Sequence, residues 1–429
     1  MEIKAVRGMH DLLGQDLVQW TAAESKIRGV LATYGYEEIR TPVLEHIEVF
    51  TQSLGDATDV VEKQMYQVQD RGHPDSGKVE TLVLRPEATS SVVRAILEHQ
   101  LHRNPHPQRY YYALPMFRYE RPQKGRLRQF HQIGAELIND ASPEADAETI
   151  VLLDQIYKTL GLTEYEIRVN SVGSDACRPQ YKQKLQDFLR PHLAELCEQC
   201  QKRFERAPMR ILDCKNESCR KIVEKAPRMV DHLDPESAAH FDAVKKRLKQ
   251  ASVKFIADPD IVRGLDYYSR TAFEFTSSLL GAQSALGGGG RYDELAARFG
   301  ETPFPAVGWA LGMERVMIAL EAQKIQIGQV RKPAYYFAPM GEAAFEKLYL
   351  HSLALKAQGV SVEMSYEKDK KLKWLMKQAD RVGARFTVLL GEDELKAGQA
   401  TVKDMGKGTQ DTVPLSGLEA ELTRRANET

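Results

Sequence analysis

At 429 residues, 42% of them hydrophobic and 28% charged, the chain has material for two or three globular domains, each with its own core. A formal net charge of -1 excludes a globally basic nucleic-acid binder, so any contact with a polyanion has to rest on local patches. The opening MEIKAVRGMHDLLG lacks the basic, apolar and small-residue parts of a secretory leader, and no apolar run is long enough to span a bilayer, which makes the cytoplasm the expected location.

In chain order, the first element expected is a helix from about Asp16 to Tyr34, followed by a strand entering at Glu38 with Pro42 soon after. A Gly/His/Pro/Asp/Ser stretch from Arg71 to Gly77 marks a loop. LRPEATSSVVRAILEHQ reads as a strand end turning into a helix, with Pro86 in its first turn and Glu87 near the positive end of its dipole.

The segment FRYERPQKGRLRQFHQIGAE, Phe117 to Glu136, sets four arginines and a lysine between two runs that read as strands. Strand side chains alternate, so Phe130, Gln132, Gly134 and Glu136 face one way and His131, Ile133, Ala135 and Leu137 the other. On the partner run Arg118 and Glu120 project together, and PQKGR supplies the turn. The arrangement suits a polyanion and a small polar substrate; taken alone, it also fits an ordinary amphipathic hairpin with solvated basic residues.

Pro143 to Gly161 reads as a capped helix after the acidic SPEADAE, and YEIRVNSVG as a strand. Between about Ser174 and Lys254 the pattern becomes helical and charged, an expected insertion. It holds CEQC and DCKNESC, so Cys197, Cys200, Cys214 and Cys219 form a cluster for which structural zinc and reduced thiols are both open readings. Strand signals return through VKFIADPDIVRGLDYYSRTAFEFTS and SLLGAQSALGGGGRYDEL, where the glycine run before Arg291 and Tyr292 would let a ligand lie against backbone. PFPAVGWALGMERVMIALEAQ is a strand running into a helix, with Arg315 in the first turn, where the dipole disfavours a cation and a compensating anion is implied. After a linker around Lys324 to Lys332 the alternation becomes β-α-β-α-β, implying a mainly parallel sheet.

Three segments together carry a resemblance. FRYERPQKGRLRQFHQ resembles motif 2 of the class II aminoacyl-tRNA synthetases in the wording of their histidyl family, and RGLDYYSRTAFEF (Arg263 to Phe275) and PAVGWALGMERVMIAL (Pro305 to Leu320) resemble the same family. The resemblance implies an α+β catalytic domain built on an antiparallel sheet (1–173 and 254–322), a helical insertion domain (174–253), a linker (323–332) and a C-terminal α/β anticodon-binding domain (333–429). It implies activation of histidine by ATP to an adenylate, transfer to the 3′ end of histidine tRNA, magnesium accompanying ATP, and a homodimer formed through the first helix and strand.

By position in the matched motifs, the resemblance makes Arg263 the principal catalytic residue, with Arg118 at the α-phosphate. It assigns Arg126 and Arg315 to the outer phosphates and Phe130 to the adenine. Glu87, Thr89 and Gln132 are implied at the amino group of the substrate histidine, Glu136 and Tyr268 at its imidazole, and Tyr267 and Tyr292 along the pocket. Arg121 and Gln123 in the motif 2 tip match positions near the tRNA acceptor end. No magnesium ligands can be named from the sequence. Two other readings share the architecture: a non-catalytic regulatory relative of the first enzyme of histidine biosynthesis, and a prolyl or threonyl synthetase. The presence of Arg118, Arg263, Glu136 and Arg315 argues against the first, and RGLDYYSRT with Glu136 against the second.

Overall fold

The structure, a computed structural model, describes residues 3–55, 58–69, 80–212, 214, 216–261, 267–281 and 284–428. The expected loop from Arg71 to Gly77 lies outside them. The chain divides into two compact units, Met1–Gln329 and Val330–Thr429.

The first unit opens with α1 (Gly14–Thr33), whose Trp20, Ala23, Ile27, Val30 and Leu31 recur at helical spacing and are buried as one stripe. Then come β1 (Glu37–Glu38), β2 (Leu44–His46), α2 (Glu48–Leu54), β3 (Tyr66–Gln69), β4 (Thr81–Leu84), α3 (Thr89–Glu98), β5 (Gln108–Phe117) and β6 (Gln129–Ile138). Next in the chain are α4 (Pro143–Thr159), β7 (Glu166–Ser171), α5 (Arg178–Leu189), α6 (Glu198–Arg206), α7 (Glu217–Val223) and α8 (Pro235–Gln250). The unit is completed by β8 (Ile256–Ala257), β9 (Ser269–Thr276), β10 (Ala285–Arg291), β11 (Ala306–Gly312) and α9 (Met313–Ala322).

Among the described residues, eight strands form one sheet in the order β1-β5-β6-β11-β10-β9-β7-β8. Its neighbours run antiparallel except at the two edges, where β1 and β8 pair parallel. One face of this sheet packs Ile133 and Ala135 of β6 against the stripe of α1 and against Ile150, Leu153, Ile156 and Tyr157 of α4. The opposite face carries Tyr112, Leu114 and Met116 of β5 with Tyr267, Tyr268, Ala272, Tyr292 and the α3 residues Val92, Val93 and Ile96. The alternation along β6 therefore commits Gln132 and Glu136 to the second face, while His131 on the first packs against Trp20 of α1.

Four local outcomes differ from the sequence expectation. Strand β5 stops at Phe117, so Arg118 and Glu120 sit in the connecting loop rather than on a strand. Helix α3 starts at Thr89, three residues after Pro86, because the Glu87 carboxylate receives the backbone N–H groups of Thr89 (2.8 Å) and Ser90 (2.9 Å) and so marks the helix start itself. A three-stranded sheet, β2-β4-β3, stands beside α2, and neither was legible as such. The last helix of the 174–253 segment, α8, joins the core of the large sheet through Phe241, Val244 and Leu248, while α5 to α7 close over a small core of their own around Tyr181, Leu185, Leu189, Phe204 and Met229.

In the second unit β12 (Tyr335–Pro339), α10 (Glu342–Ala357), β13 (Val362–Met364), α11 (Leu372–Val382) and β14 (Phe386–Leu390) alternate as expected. They are followed by α12 (Glu392–Ala397), β15 (Gln399–Asp404), β16 (Gln410–Pro414) and α13 (Leu418–Asn427). The sheet order is β13-β12-β14-β15-β16, parallel up to β14 and antiparallel beyond it. The expectation of a mainly parallel sheet missed the closing hairpin, whose turn uses Gly408 at φ +73.

Candidate active site

The second face of the large sheet opens into a cleft of about 460 Å³. Its floor is Glu136, 1% exposed, on β6. The Thr89 hydroxyl donates to Glu136 Oε1 at 2.8 Å, and the Tyr292 hydroxyl donates to Oε2. Burial pushes the carboxyl up to about 8; the hydrogen bonds from Tyr292 and Thr89 oppose that shift, and nearby Glu87 adds to it. Glycine makes this floor possible. Gly308 of β11 stands directly opposite Glu136 in the ladder, and a Cβ there would overlap Oε2. A Cβ on Gly134 would overlap the Tyr112 ring in the same way.

Gln132, two residues before Gly134, lines the cleft, and its side-chain oxygen is buried with no partner among the described residues. Such an oxygen accepts from an ammonium group at no extra desolvation cost. Tyr267, Tyr268 and Tyr292 form a ring cluster at one side, with centroids 4.6 Å apart for the first pair and 5.6 Å for Tyr267 and Tyr292. They belong both to the second core and to the cleft wall, so their packing and ligand-facing readings coexist.

The other end is cationic. Arg118 lies over the Phe130 ring, 5.1 Å from its centroid, and its Nε donates to the Pro86 carbonyl at 2.8 Å. Arg315, in the first turn of α9, donates to the carbonyls of Gly125 (3.0 Å) and Ala285 (2.8 Å). Those two carbonyls anchor it against the unfavourable helix dipole. Burial, and then the charges of Arg126 and Arg118, hold the Arg315 guanidinium below its usual range, while Glu120 and Glu274 pull the other way. Arg126 pairs with Glu120 at 3.4 Å. An incoming polyanion relieves this crowding of cations.

Arg121 and Gln123 are exposed in the loop between β5 and β6, where Gln123 and Arg126 exchange backbone hydrogen bonds. Arg263 lies outside the described residues. Arg291, by contrast, is buried away from any ligand role: it pairs with Asp146 and with Asp293 (3.1 Å) and donates to the carbonyls of Asp140 (2.9 Å) and Ser142 (3.2 Å). The glycines before it serve close strand packing as well as the cleft, since a Cβ on Gly289 would overlap the Gly308 carbonyl, whereas Gly287 and Gly288 line the cleft.

Sequence reasoning missed several cleft residues. Tyr112 carried no signal in a run of three tyrosines, and Glu274 looked like one polar step of an alternating strand. Arg203 and Arg210 reach the cleft from the insertion, a contact that only folding creates. Gly308 could have been noticed as a glycine inside a strand. Within the insertion, the sulfurs of Cys197, Cys200, Cys214 and Cys219 lie within 4.8 Å of one another, a group that could hold a metal ion.

A model of the histidyl-tRNA synthetase family matches residues 8–316, and an anticodon-binding domain model matches 336–425. The chain is 44% identical over 412 residues to a histidine–tRNA ligase of Pelotomaculum thermopropionicum, covering 96% of this chain and 95% of that one. It is 45% identical over 427 residues to a histidine–tRNA ligase of Anaeromyxobacter dehalogenans, covering 99% and 100%. Apo histidyl-tRNA synthetase of Staphylococcus aureus superposes with a TM-score of 0.81 at 33% identity, covering 98% of this chain and 100% of that one. A Bacillus halodurans chain described as an ATP phosphoribosyltransferase regulatory subunit/histidyl-tRNA synthetase shares the fold, with a TM-score of 0.58 at 21% identity over 88% of this chain and 97% of that one. With a family model spanning most of its first unit and relatives aligned over nearly its full length, the chain belongs to the histidyl-tRNA synthetase family.

Proposed function

We propose that the cleft carries out both half-reactions of a histidine–tRNA ligase, the activity that family membership gives the chain. In the first, the carboxylate of histidine attacks the α-phosphorus of ATP, the bond to the bridging oxygen breaks and pyrophosphate leaves. In the second, a ribose hydroxyl at the 3′ end of the tRNA attacks the histidyl carbonyl and AMP departs. Both steps redistribute negative charge, so they call for positioning and fixed cations rather than a protein nucleophile.

The observation that carries this reading is the pairing of a buried carboxylate floor with an arginine-lined end in one cleft. Glu136 accepts the imidazole N–H of histidine, with Tyr268 at the other side of the ring. Glu87, Thr89 and Gln132 receive the amino group, and Tyr267 and Tyr292 shape the walls. Arg118 and Arg263 stabilise charge at the α-phosphate, Arg126 and Arg315 hold the outer phosphates, and Phe130 supports the adenine. Class II synthetases use ATP with magnesium; Glu120 and Glu274 put carboxylate oxygens on the wall beside Arg315, a donor chemistry that fits this ion. When bound, magnesium supplies further neutralisation of phosphate charge.

The division of labour we propose gives catalysis to 1–173 with 254–322, the acceptor end of the tRNA to 174–253 together with Arg121 and Gln123, and the anticodon to 333–429. Exposed Leu13, Leu17, Val43 and Leu44 around α1 and β2 support association of two copies there. Among the described residues no helix is long and apolar enough to cross a membrane, and the cytoplasm is where histidine tRNA and ATP are available. The test is amino-acid-dependent ATP–pyrophosphate exchange with each amino acid in turn, followed by tRNA charging. Exchange with histidine alone supports the reading; histidine binding without exchange favours a regulatory role.

A further inference from the structure

Neither half-reaction uses the four cysteines of the insertion, yet the fold brings them to one point. They come as Cys197-x2-Cys200 and Cys214-x4-Cys219, on the entry and first turn of α6 and around the start of α7. All four sulfurs lie within 4.8 Å of one another, and Cys197 and Cys214 stand 3.8 Å apart. A disulfide needs about 2.05 Å. A tetrahedral zinc with Zn–S of about 2.3 Å has sulfur–sulfur edges of about 3.8 Å.

The surroundings suit charge on sulfur. The backbone N–H of Cys197 donates to Cys219 Sγ at 3.2 Å, the kind of bond that orients and stabilises a thiolate ligand. Four soft donors favour zinc over oxygen-seeking cations, and they close its coordination shell, which makes the ion structural rather than catalytic. The need is also visible: α5 to α7 share only a small core, and such modules commonly depend on a metal or a cross-link.

What the ion would hold in place is a wall of the cleft. From α6, Gln199 and Arg203 each reach the carboxylate of Asp59 at 3.4 Å. Arg203 lines the cleft, as does Arg210 from the turn Pro208–Ile211 that leads toward Cys214. We propose that Cys197, Cys200, Cys214 and Cys219 bind one zinc ion, and that this ion fixes α6 and the following turn so that Arg203 and Arg210 complete the cationic side of the cleft. The metal site stands on its own geometry; the role of the wall rests on the ligase reading.

The full-length protein, purified without chelator from zinc-supplied cells, is expected to carry one zinc per chain by elemental mass spectrometry. Replacement by cobalt is expected to give thiolate-to-metal charge-transfer absorption, and Cys214→Ser to weaken zinc retention by more than the roughly 10- to 100-fold that loss of a supporting hydrogen bond costs. Because losing a ligand also loosens the insertion, the cobalt spectrum of the unaltered chain is the second readout. Four titratable thiols with no metal in the folded protein, a disulfide, or an iron–sulfur cluster would overturn the assignment. For the wall, zinc-free protein is expected to show a KM for ATP raised about tenfold, the lower end of the scale of one lost charge-assisted contact. An unchanged KM overturns that role. If the zinc-loaded protein shows no pyrophosphate exchange either, the ligase reading and the role of the wall fall together, and the metal content stands.

Discussion

The Tyr292 hydroxyl donates to Glu136 Oε2 at the floor of the cleft, so a tyrosine that follows the glycine strand orients a carboxylate two strands away. With Thr89 on the other oxygen, the carboxylate is aimed but still protonates readily, because burial outweighs both hydrogen bonds and places its titration at about 8.

That value sets a pH dependence with a definite sign. The folded-state value lies above the ordinary 4.5, so the stability from a neutral Glu136 is fully present below about 4.5 and is lost as pH rises through about 8. At roughly 1.4 kcal/mol per unit, the loss is on the order of 5 kcal/mol. Glu136→Gln removes it: the melting-temperature gap between variant and parent is expected to widen in favour of the variant from about pH 5 to about pH 8 and then level off. A gap that stays constant with pH would sink the assignment. If the ionised carboxylate accepts the imidazole N–H, histidine binding at pH 7 releases roughly one proton, read by calorimetry in buffers of different ionisation enthalpy.

Gly308→Ala is expected to abolish histidine-dependent pyrophosphate exchange in the protein that still folds, as judged by circular dichroism. The added methyl competes with Glu136 Oε2 for the same space and also overlaps the Ala135 carbonyl of the neighbouring strand, so the carboxylate is displaced and a lowered melting temperature accompanies the loss of exchange. Retained exchange with an unchanged KM for histidine would show that Glu136 is not the selecting group.

Arg118→Lys keeps the charge but loses the guanidinium over the Phe130 ring and the Nε bond to the Pro86 carbonyl. We expect kcat for exchange to fall on the order of a hundredfold, the scale of a lost charge-stabilising donor. Arg263→Lys is expected to be at least as damaging, since a guanidinium bridges two oxygens and an ammonium does not. Near-parental rates in either variant argue against a role at the α-phosphate.

Arg291→Met tests the opposite kind of residue. It leaves the buried Asp146 carboxylate, which Arg291 and His240 hold below its usual range against the effect of burial, without its main counter-charge. Breaking such a pair costs about 3–5 kcal/mol, so a drop of that size in urea unfolding is expected. A stability within 1 kcal/mol of the parent, roughly the scale of a surface pair, would contradict the buried network.

The sequence by itself determined the strongly periodic parts. The stripe of α1, the alternation of β6 and the β-α-β alternation of the C-terminal unit follow from local side-chain spacing, and the three motif segments by themselves carry the resemblance to the family. Some short elements were not legible: the three- and four-residue strands β2 and β3 have too few residues to show a period, and exist because neighbours supply the hydrogen bonds. Within the site, residue types were readable and partners were not. Arg291 and Arg315 look alike in the sequence, each a cation beside glycine-rich or strand-end text. One became a buried structural ion and the other a cleft residue, because Asp146 and two backbone carbonyls, respectively, happen to meet them across the fold. Glu136 likewise became a proton-titrating floor only once the fold had buried it, with Gly308 leaving room for the carboxylate, Thr89 and Tyr292 aiming it, and Glu87 nearby adding to the effect of burial. Charge, burial and pairing are relations between residues far apart in the chain, and tertiary structure is what decides them.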